Sequence, residues 1–245
     1  MEIVAHRGAS GTHPENTMAA FTHASTLGVQ WIETDVPLMG DGILLVHHDA
    51  HLGRVVAGEG RLADMTYPEV AGLDAGSWFG AEFADQRLLT LPKLLAWQAT
   101  AGVGLNIEVK IHKQNHAALL ASLTAALNTR DTREATATNP PPILVSSFDA
   151  EFLRLVAEGL PEVPRAFCSY HLPPDWQARV DACGAEAVHL NMLYAKPHQI
   201  AAIHQAGLRV ALFTINTDGD MAQAKAWGVG WIMSDYPERF LGKKT

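Results

Sequence analysis

Cysteine is scarce: Cys168 and Cys183 are the only two in 245 residues, and they form no C-x-x-C. A disulfide-rich scaffold is thereby excluded, and the pair reads as two inert thiols suited to a reducing compartment. Basic residues are also in the minority, with 18 Lys and Arg against 26 Asp and Glu and a formal charge of −8. That balance argues against a nucleic-acid binder, which needs a basic face to displace counterions. It does not exclude an anionic substrate, because a bound divalent cation reverses the sign locally. No stretch approaches the ~18 apolar residues of a membrane span. Met1-Glu2-Ile3-Val4 runs directly into a strand-like segment without a basic region and apolar run before it, so no signal peptide is expected and the expected address is the cytoplasm. Neither G-x-G-x-x-G nor G-x-x-x-x-G-K-[ST] occurs, which removes the usual glycine-rich phosphate turns.

What is present is a repeated alternation. Short β-branched or apolar runs at Glu2–His6, Trp31–Val36, Gly104–Lys110, Ile143–Ser147, Arg165–Ser169, Ala187–Asn191, Arg209–Ile215 and Trp231–Ser234 are separated by segments of helical period. The helical segments include Thr17–Leu27, Ala117–Leu127, Ala150–Glu158, Pro197–Ala206 and Asp218–Ala226. Gly28, Gly102, Gly207 and Gly228 each stand where such a helix must stop. Strands alternating with helices predict a parallel sheet, and eight of them predict closure into an α/β (β/α)8 TIM barrel rather than an open sheet. The length suits one barrel domain over residues 1–245.

One region departs from that rhythm. After the second strand come the turn Met39-Gly40-Asp41-Gly42, an extra run Ile43–His47, and a loop-rich stretch carrying Trp78 and Phe79 before a helix at Leu91. It predicts a small insertion at about residues 50–90, of the kind that forms a lid or substrate wall. Pro140-Pro141-Pro142 reads as a stiff entry into the fourth strand.

In such barrels chemistry is built on the C-terminal ends of the strands, and ionisable residues gather there. Glu33 and Asp35 are two apart in a strand and so share a face, and Glu108 on the neighbouring strand offers a third carboxylate on that side. Three carboxylates make an all-oxygen site suited to one divalent cation, Mg²⁺ or Ca²⁺ or else Mn²⁺, and unlike structural zinc. Lys110 shares the face of Glu108 and Arg7 follows the first strand; both are expected to meet substrate phosphate, Arg7 bidentately. The alternative is that Arg7 and Lys110 form internal ion pairs with the three acids. His6 and His48 close the first strand and the extra run, where two imidazoles facing a phosphate supply a base and an acid. His47 adjoins His48, and alternation allows only one of the two to point inward.

Taken in order, these residues resemble the glycerophosphodiester phosphodiesterase family. His6-Arg7-Gly8 with Pro14-Glu15-Asn16-Thr17 is similar to its opening H-R-G…P-E-N-T, and Glu33-Thr34-Asp35 to its E-x-D metal pair. His48-Asp49 with Leu52-x-Arg54, the insertion residues Asp74–Phe79, and Asn106-Ile107-Glu108-Val109-Lys110 continue the match. Thr214-Ile215-Asn216 and Ser234-Asp235-Tyr236-Pro237 close it. The resemblance implies Glu33, Asp35 and Glu108 as metal ligands and His6 and His48 as the acid/base pair, choosing His48 over His47 because it precedes the aspartate. It implies Arg7 and Lys110 at phosphate, Glu15 close to the site, and Asn216 and Trp78 on the substrate side. Departures at Val55-Val56, Phe213 and Ser234, where threonines, tryptophan and threonine are common, touch the shape of the alcohol pocket.

The implied reaction is metal-dependent hydrolysis of a glycerophosphodiester to sn-glycerol 3-phosphate and an alcohol such as choline, ethanolamine or glycerol. Attack by a glycerol hydroxyl through a cyclic intermediate and direct attack by water both remain open. Two rivals stand beside it: a phospholipase-D-like or lysophospholipid-cleaving relative of the same superfamily, and a non-catalytic ligand-binding barrel. Head-group preference, the metal's identity and a monomeric or dimeric state are not legible.

Overall fold

The computed structural model describes residues 1–131 and 140–242. In chain order its elements are β1 (Glu2–His6), α1 (Met18–Thr26), β2 (Trp31–Pro37), β3 (Leu45–Val46), α2 (Tyr67–Val70), β4 (Leu89–Thr90), α3 (Leu91–Ala101) and β5 (Gly104–Lys110). They continue as α4 (His116–Asp131), β6 (Ile143–Ser147), α5 (Ala150–Gly159), β7 (Arg165–Ser169), α6 (Trp176–Cys183) and β8 (Ala187–Asn191). The last are α7 (Pro197–Gln205), β9 (Arg209–Phe213), α8 (Asp218–Ala226) and β10 (Trp231–Ser234). Strands β1, β2, β5, β6, β7, β8, β9 and β10 pair in that order, all parallel, and β10 returns to β1 to close an eight-stranded barrel. The fold is the (β/α)8 barrel that the alternation predicts.

Local chemistry explains the junctions. Thr17, Thr90, Asp149 and Thr217 cap α1, α3, α5 and α8 by accepting a backbone N–H in the first turn. The expected helix stops at Gly28, Gly102, Gly207 and Gly228 all have positive φ, between 70° and 87°. Inside the barrel the N-terminal end is plugged by Trp31 and Trp231, whose ring centroids lie 4.7 Å apart. Gly104 is required there, because a Cβ at that position would sit 2.5 Å from the Trp31 ring.

Three details go beyond or differ from the reading of the sequence. The seventh barrel strand ends at Phe213 rather than Ile215, although Ile215 N–H still bonds the Met233 carbonyl at 2.8 Å. Helix α6 fills the place the alternation requires between two strands, but its range is not legible in sequence, because only Val180 and Cys183 of its eight residues are buried and it carries no apolar stripe. The insertion is not merely loop. The run at 43–47 supplies β3, which pairs antiparallel with β4, and Met39, Leu45, Val55, Val56, Leu62, Val70, Ala75 and Leu88 form a small core of their own. Gln86 accepts the Ala19 N–H at 3.0 Å and Arg61 donates to the His112 carbonyl at 2.8 Å, tying this module to the barrel's C-terminal side. Among the described residues no helix is long and apolar enough to cross a membrane.

Candidate active site

The register of β2 against β5 pairs Asp35 with Glu108 and Glu33 with Asn106, which places all three acids on the inner face near the C-terminal rim. One carboxylate oxygen from each of Glu33, Asp35 and Glu108 falls within 4.8 Å of the others. Glu33 and Asp35 are both 1% exposed. Like charges this close and this dry repel strongly unless a cation intervenes. Burial, reinforced by the charge of Asp35, pushes the Glu33 carboxyl up to about 8. Its Oε1 is buried without a hydrogen-bond partner, whereas Oε2 accepts the Arg7 backbone N–H at 3.0 Å. An orphaned carboxylate oxygen facing two further acids is a donor set that fits a hard divalent cation.

Both cations expected at phosphate are also paired with these acids. Arg7 Nε lies 3.1 Å from Asp35 Oδ2, Lys110 Nζ lies 2.9 Å from Asp35 Oδ1, and Lys110 also donates to Glu108. Burial by itself would raise Asp35, but Lys110 and Arg7 hold it far below the ordinary carboxylate range. The two readings of Arg7 and Lys110 left open by sequence are therefore compatible. The side chains balance the acids and still stand at the rim where an anion would arrive.

The backbone that aims Arg7 is unusual. Arg7 and Asn16 are non-glycine residues with φ of 57° and 56°, a region costing on the order of 1–3 kcal/mol per residue, and Gly8 follows at 81°. Gly8 cannot be replaced without strain, since a Cβ would lie 2.7 Å from Ala20. Asn16 N–H bonds the Arg7 carbonyl at 3.0 Å, and the Asn16 side chain donates to Asp35 Oδ2 at 3.0 Å while accepting from Thr34 at 2.9 Å. The opening Pro14–Thr17 segment is thus a buckle that fixes both Arg7 and Asp35.

Each expected catalytic histidine has a carboxylate on its Nδ1. His6 Nδ1 is 2.6 Å from Asp235 Oδ1, and His48 Nδ1 is 2.7 Å from Asp49 Oδ1. This pairing leaves Nε2 of each ring for the site, and His6 Nε2 is 3.9 Å from Glu33 Oε2. Burial would depress His6, but the Asp235 hydrogen bond and the Glu33 charge outweigh it and the net shift is upward. His48 moves down, pulled by burial and by Lys110 and Arg7 against the opposition of Asp35. His47 is buried, its Nε2 without a hydrogen-bond partner and its backbone N–H on the Asp35 carbonyl at 3.0 Å.

Glu15 stands where two guanidinium groups meet. It accepts from Arg7 at 2.9 Å and bidentately from Arg54 at 2.8 and 2.6 Å, and Arg54 also donates to Asp49 at 2.6 Å. Asn216 is turned toward the carboxylate behind His6: it donates to Asp235 Oδ2 at 2.6 Å and accepts from Asp235 N–H and Ser234. Trp78 stands in the insertion, 45% exposed, its indole N–H on the Ala75 carbonyl at 3.0 Å and its ring edge-on to Phe79. No hydrogen bond or ion pair among the described residues joins Trp78 to the acids or the histidines.

Sequence reasoning assigned no role to Asp49, Arg54, Asp235 or Asn16. The signals present were their places in the motifs of the resemblance, Pro14–Thr17, His48-Asp49 with Arg54 and Ser234–Pro237, and the adjacency of Asp49 to His48. The contact between His6 and Asp235 crosses the barrel closure and has no local signature.

The profile of the Glycerophosphoryl diester phosphodiesterase family matches residues 6–239. A glycerophosphodiester phosphodiesterase of Caldanaerobacter subterraneus subsp. tengcongensis is 31% identical over 242 residues, covering 98% of this chain and 96% of its own. A phosphodiesterase of Oleispira antarctica, solved in complex with the product sn-glycerol 3-phosphate, is 31% identical with a TM-score of 0.90, covering 98% of this chain and 94% of its own. The crystal structure of a glycerophosphodiester phosphodiesterase of Agrobacterium tumefaciens is 26% identical with a TM-score of 0.76, covering 98% of both chains. With the acid triad, the two carboxylate-bound histidines and the barrel already in place, these likenesses make the chain a member of the glycerophosphoryl diester phosphodiesterase family.

Proposed function

We propose that this enzyme hydrolyses glycerophosphodiesters to sn-glycerol 3-phosphate and an alcohol at the rim formed by β1, β2, β5 and β10. The observation that carries the reading is the convergence of Glu33, Asp35 and Glu108 between two histidines whose Nδ1 atoms are each held by a carboxylate. Glu33, Asp35 and Glu108 are the residues that would hold a divalent cation, Mg²⁺, Ca²⁺ or Mn²⁺. Such an ion, when bound, neutralises phosphate charge as it grows in the transition state.

The chain's own groups do the rest. Arg7 and Lys110 stand beside the acids to hold the non-bridging phosphate oxygens. Glu15 and Arg54 brace Arg7 and Asp49, so the guanidinium and the His48 ring keep fixed orientations. Asp49 and Asp235 fix the tautomers of His48 and His6, presenting Nε2 of each ring to substrate. One imidazole takes the proton from the attacking hydroxyl and the other delivers a proton to the departing alcohol oxygen. Asn216 acts behind His6 by holding Asp235, and Trp78 lines the outer wall from the insertion. We also propose one catalytic domain and a cytoplasmic address, the latter supported by two buried free thiols at Cys168 and Cys183.

The test is product analysis with a panel of glycerophosphodiesters, with and without EDTA. Release of sn-glycerol 3-phosphate that stops on chelation and returns with Mg²⁺, Ca²⁺ or Mn²⁺ is expected. Undiminished turnover of chelator-stripped enzyme would contradict the reading.

A further inference from the structure

The barrel mouth is divided into two halves of different chemistry. The half over β10, β1, β2 and β5 holds His6, Arg7, Glu33, Asp35, Glu108, Lys110 and Asp235. Over the remaining four strands the exits read Ser147-Phe148, Ser169-Tyr170, Asn191-Met192 and Phe213-Thr214, with no acid or base among them. Three of these residues form one aromatic cluster. Phe148 and Tyr170 stack with centroids 4.8 Å apart, and Phe213 stands perpendicular to both at 6.0 Å. Tyr170 is 52% exposed, so one side of this cluster faces solvent.

The cluster adjoins the charged half. Lys110 Nζ, which also pairs with Asp35, lies 5.8 Å from the centroid of the Phe148 ring, and a cavity lined by Lys110, His112, Ser147, Phe148 and Asp149 joins the two halves. An arm of a phosphodiester held at the acids that extends past Lys110 would meet this aromatic sector. Two of the polar groups there are already engaged: Ser169 donates to the His171 carbonyl and the Asn191 side-chain oxygen accepts the Leu193 N–H. A primary ammonium has three donors to satisfy, and Asp149, the carboxylate lining that cavity, already caps α5 and pairs with His116 at 3.2 Å. A methylated ammonium has no donor to satisfy and is bound by the negative faces of aromatic rings. An acyl chain would have to desolvate the exposed His171 and the half-buried Asn191.

We infer that Phe148, Tyr170 and Phe213 form the subsite for the leaving alcohol and select a quaternary ammonium head group, so that glycerophosphocholine is preferred over glycerophosphoethanolamine and glycerophosphoglycerol. This inference rests on the phosphodiesterase reading above. Tyr170 offers the exposed ring face, and Phe213 and Phe148 set its position.

The experiment compares kcat and KM for the three diesters in the metal-loaded wild-type enzyme and in Tyr170→Leu, Tyr170→Phe and Phe213→Leu. Loss of one cation–π face should raise KM for glycerophosphocholine about tenfold and by clearly more than KM for the ethanolamine diester, and Tyr170→Phe should restore the wild-type ratio of the two. Because the readout is a ratio between two substrates, a variant that folds poorly lowers both and does not mimic the effect. Choline chloride should also inhibit the wild-type enzyme more strongly than ethanolamine, a comparison that needs no variant. Equal KM values for the choline and ethanolamine diesters, or an equal rise for both in Tyr170→Leu, would overturn the inference while leaving the hydrolase reading intact. Absence of turnover on all three diesters would instead overturn the hydrolase reading on which it rests.

Discussion

Asp235 Oδ1 lies 2.6 Å from His6 Nδ1, a contact between residues 229 apart in the chain that exists only because β10 closes onto β1. Asp235 also receives Ser10 Oγ at 3.0 Å and Asn216 Nδ2 at 2.6 Å, and these bonds together with His6 outweigh burial and hold its carboxyl down to about 2. A carboxylate so firmly ionised and so heavily bonded cannot swing away, and it passes its rigidity to the imidazole.

Replacing Asp235 with Asn removes the acceptor that fixes the ring while keeping its volume. The expected result is a kcat lower by on the order of 100- to 10,000-fold with a KM near normal, as for other histidines deprived of their orienting carboxylate. Steady-state kinetics check it, and a kcat close to wild type would show that His6 needs no such support.

Arg54 is the peripheral clamp. Its side chain is 45% exposed, so the ion pairs it makes with Glu15 and Asp49 contribute little to stability. Arg54→Met should leave the melting temperature almost unchanged but lower kcat about tenfold by loosening Asp49 behind His48 and Glu15 behind Arg7. Parallel losses in stability and activity would argue instead for a merely structural brace.

Glu33 bears the strongest conflict in the site, with an unpartnered buried oxygen and a carboxyl pushed up to about 8 by burial and by Asp35. In the chelated protein burial already holds Glu33 largely protonated at neutral pH, so Glu33→Gln, its neutral isostere, should be about as stable as wild type without metal. Saturating divalent cation should raise the wild-type melting temperature, a stabilisation of about 2.7 kcal/mol at a hundred times Kd, and should fail to raise that of Glu33→Gln. Thermal melts with and without EDTA read both effects.

His189 offers a pH test away from the chemistry. It is buried inside the barrel with an unpartnered Nε2, and burial holds its imidazole down to about 3. The unfolded chain takes up this proton near the ordinary value of about 6.5 and the folded chain does not, so the contribution is intact above that pH and is lost as pH falls toward 3. Between pH 7 and pH 5 the wild-type protein should lose about 2 kcal/mol through this group alone, at roughly 1.4 kcal/mol per pH unit. Urea unfolding of His189→Leu at the two pH values should lack that increment. An unchanged pH difference would place the acid sensitivity elsewhere.

Much of this molecule is legible in one dimension because its elements announce themselves locally. The eight strands are short apolar runs bounded by glycine stops and threonine caps, and the shared face of Glu33 and Asp35 follows from a repeat of two. Helix α6 was hidden because a short helix burying only Val180 and Cys183 has no amphipathic signature. The insertion's own core was hidden because its apolar residues are brought together by tertiary packing rather than by period. In the site, the residue types and their strand positions were readable, but the partners were not. Whether Arg7 and Lys110 faced a ligand or the acids depended on side-chain reach across β1, β2 and β5, and the carboxylate behind His6 depended on barrel closure.

The central claim is that Glu33, Asp35 and Glu108 together hold one divalent cation. Crystals soaked in Mn²⁺ and measured for anomalous scattering test it most directly. The account predicts a single strong peak bounded by oxygens of all three carboxylates, at about 2.0–2.4 Å from each. Well-ordered crystals without a peak there, with Lys110 and Arg7 still bridging the acids, would contradict it.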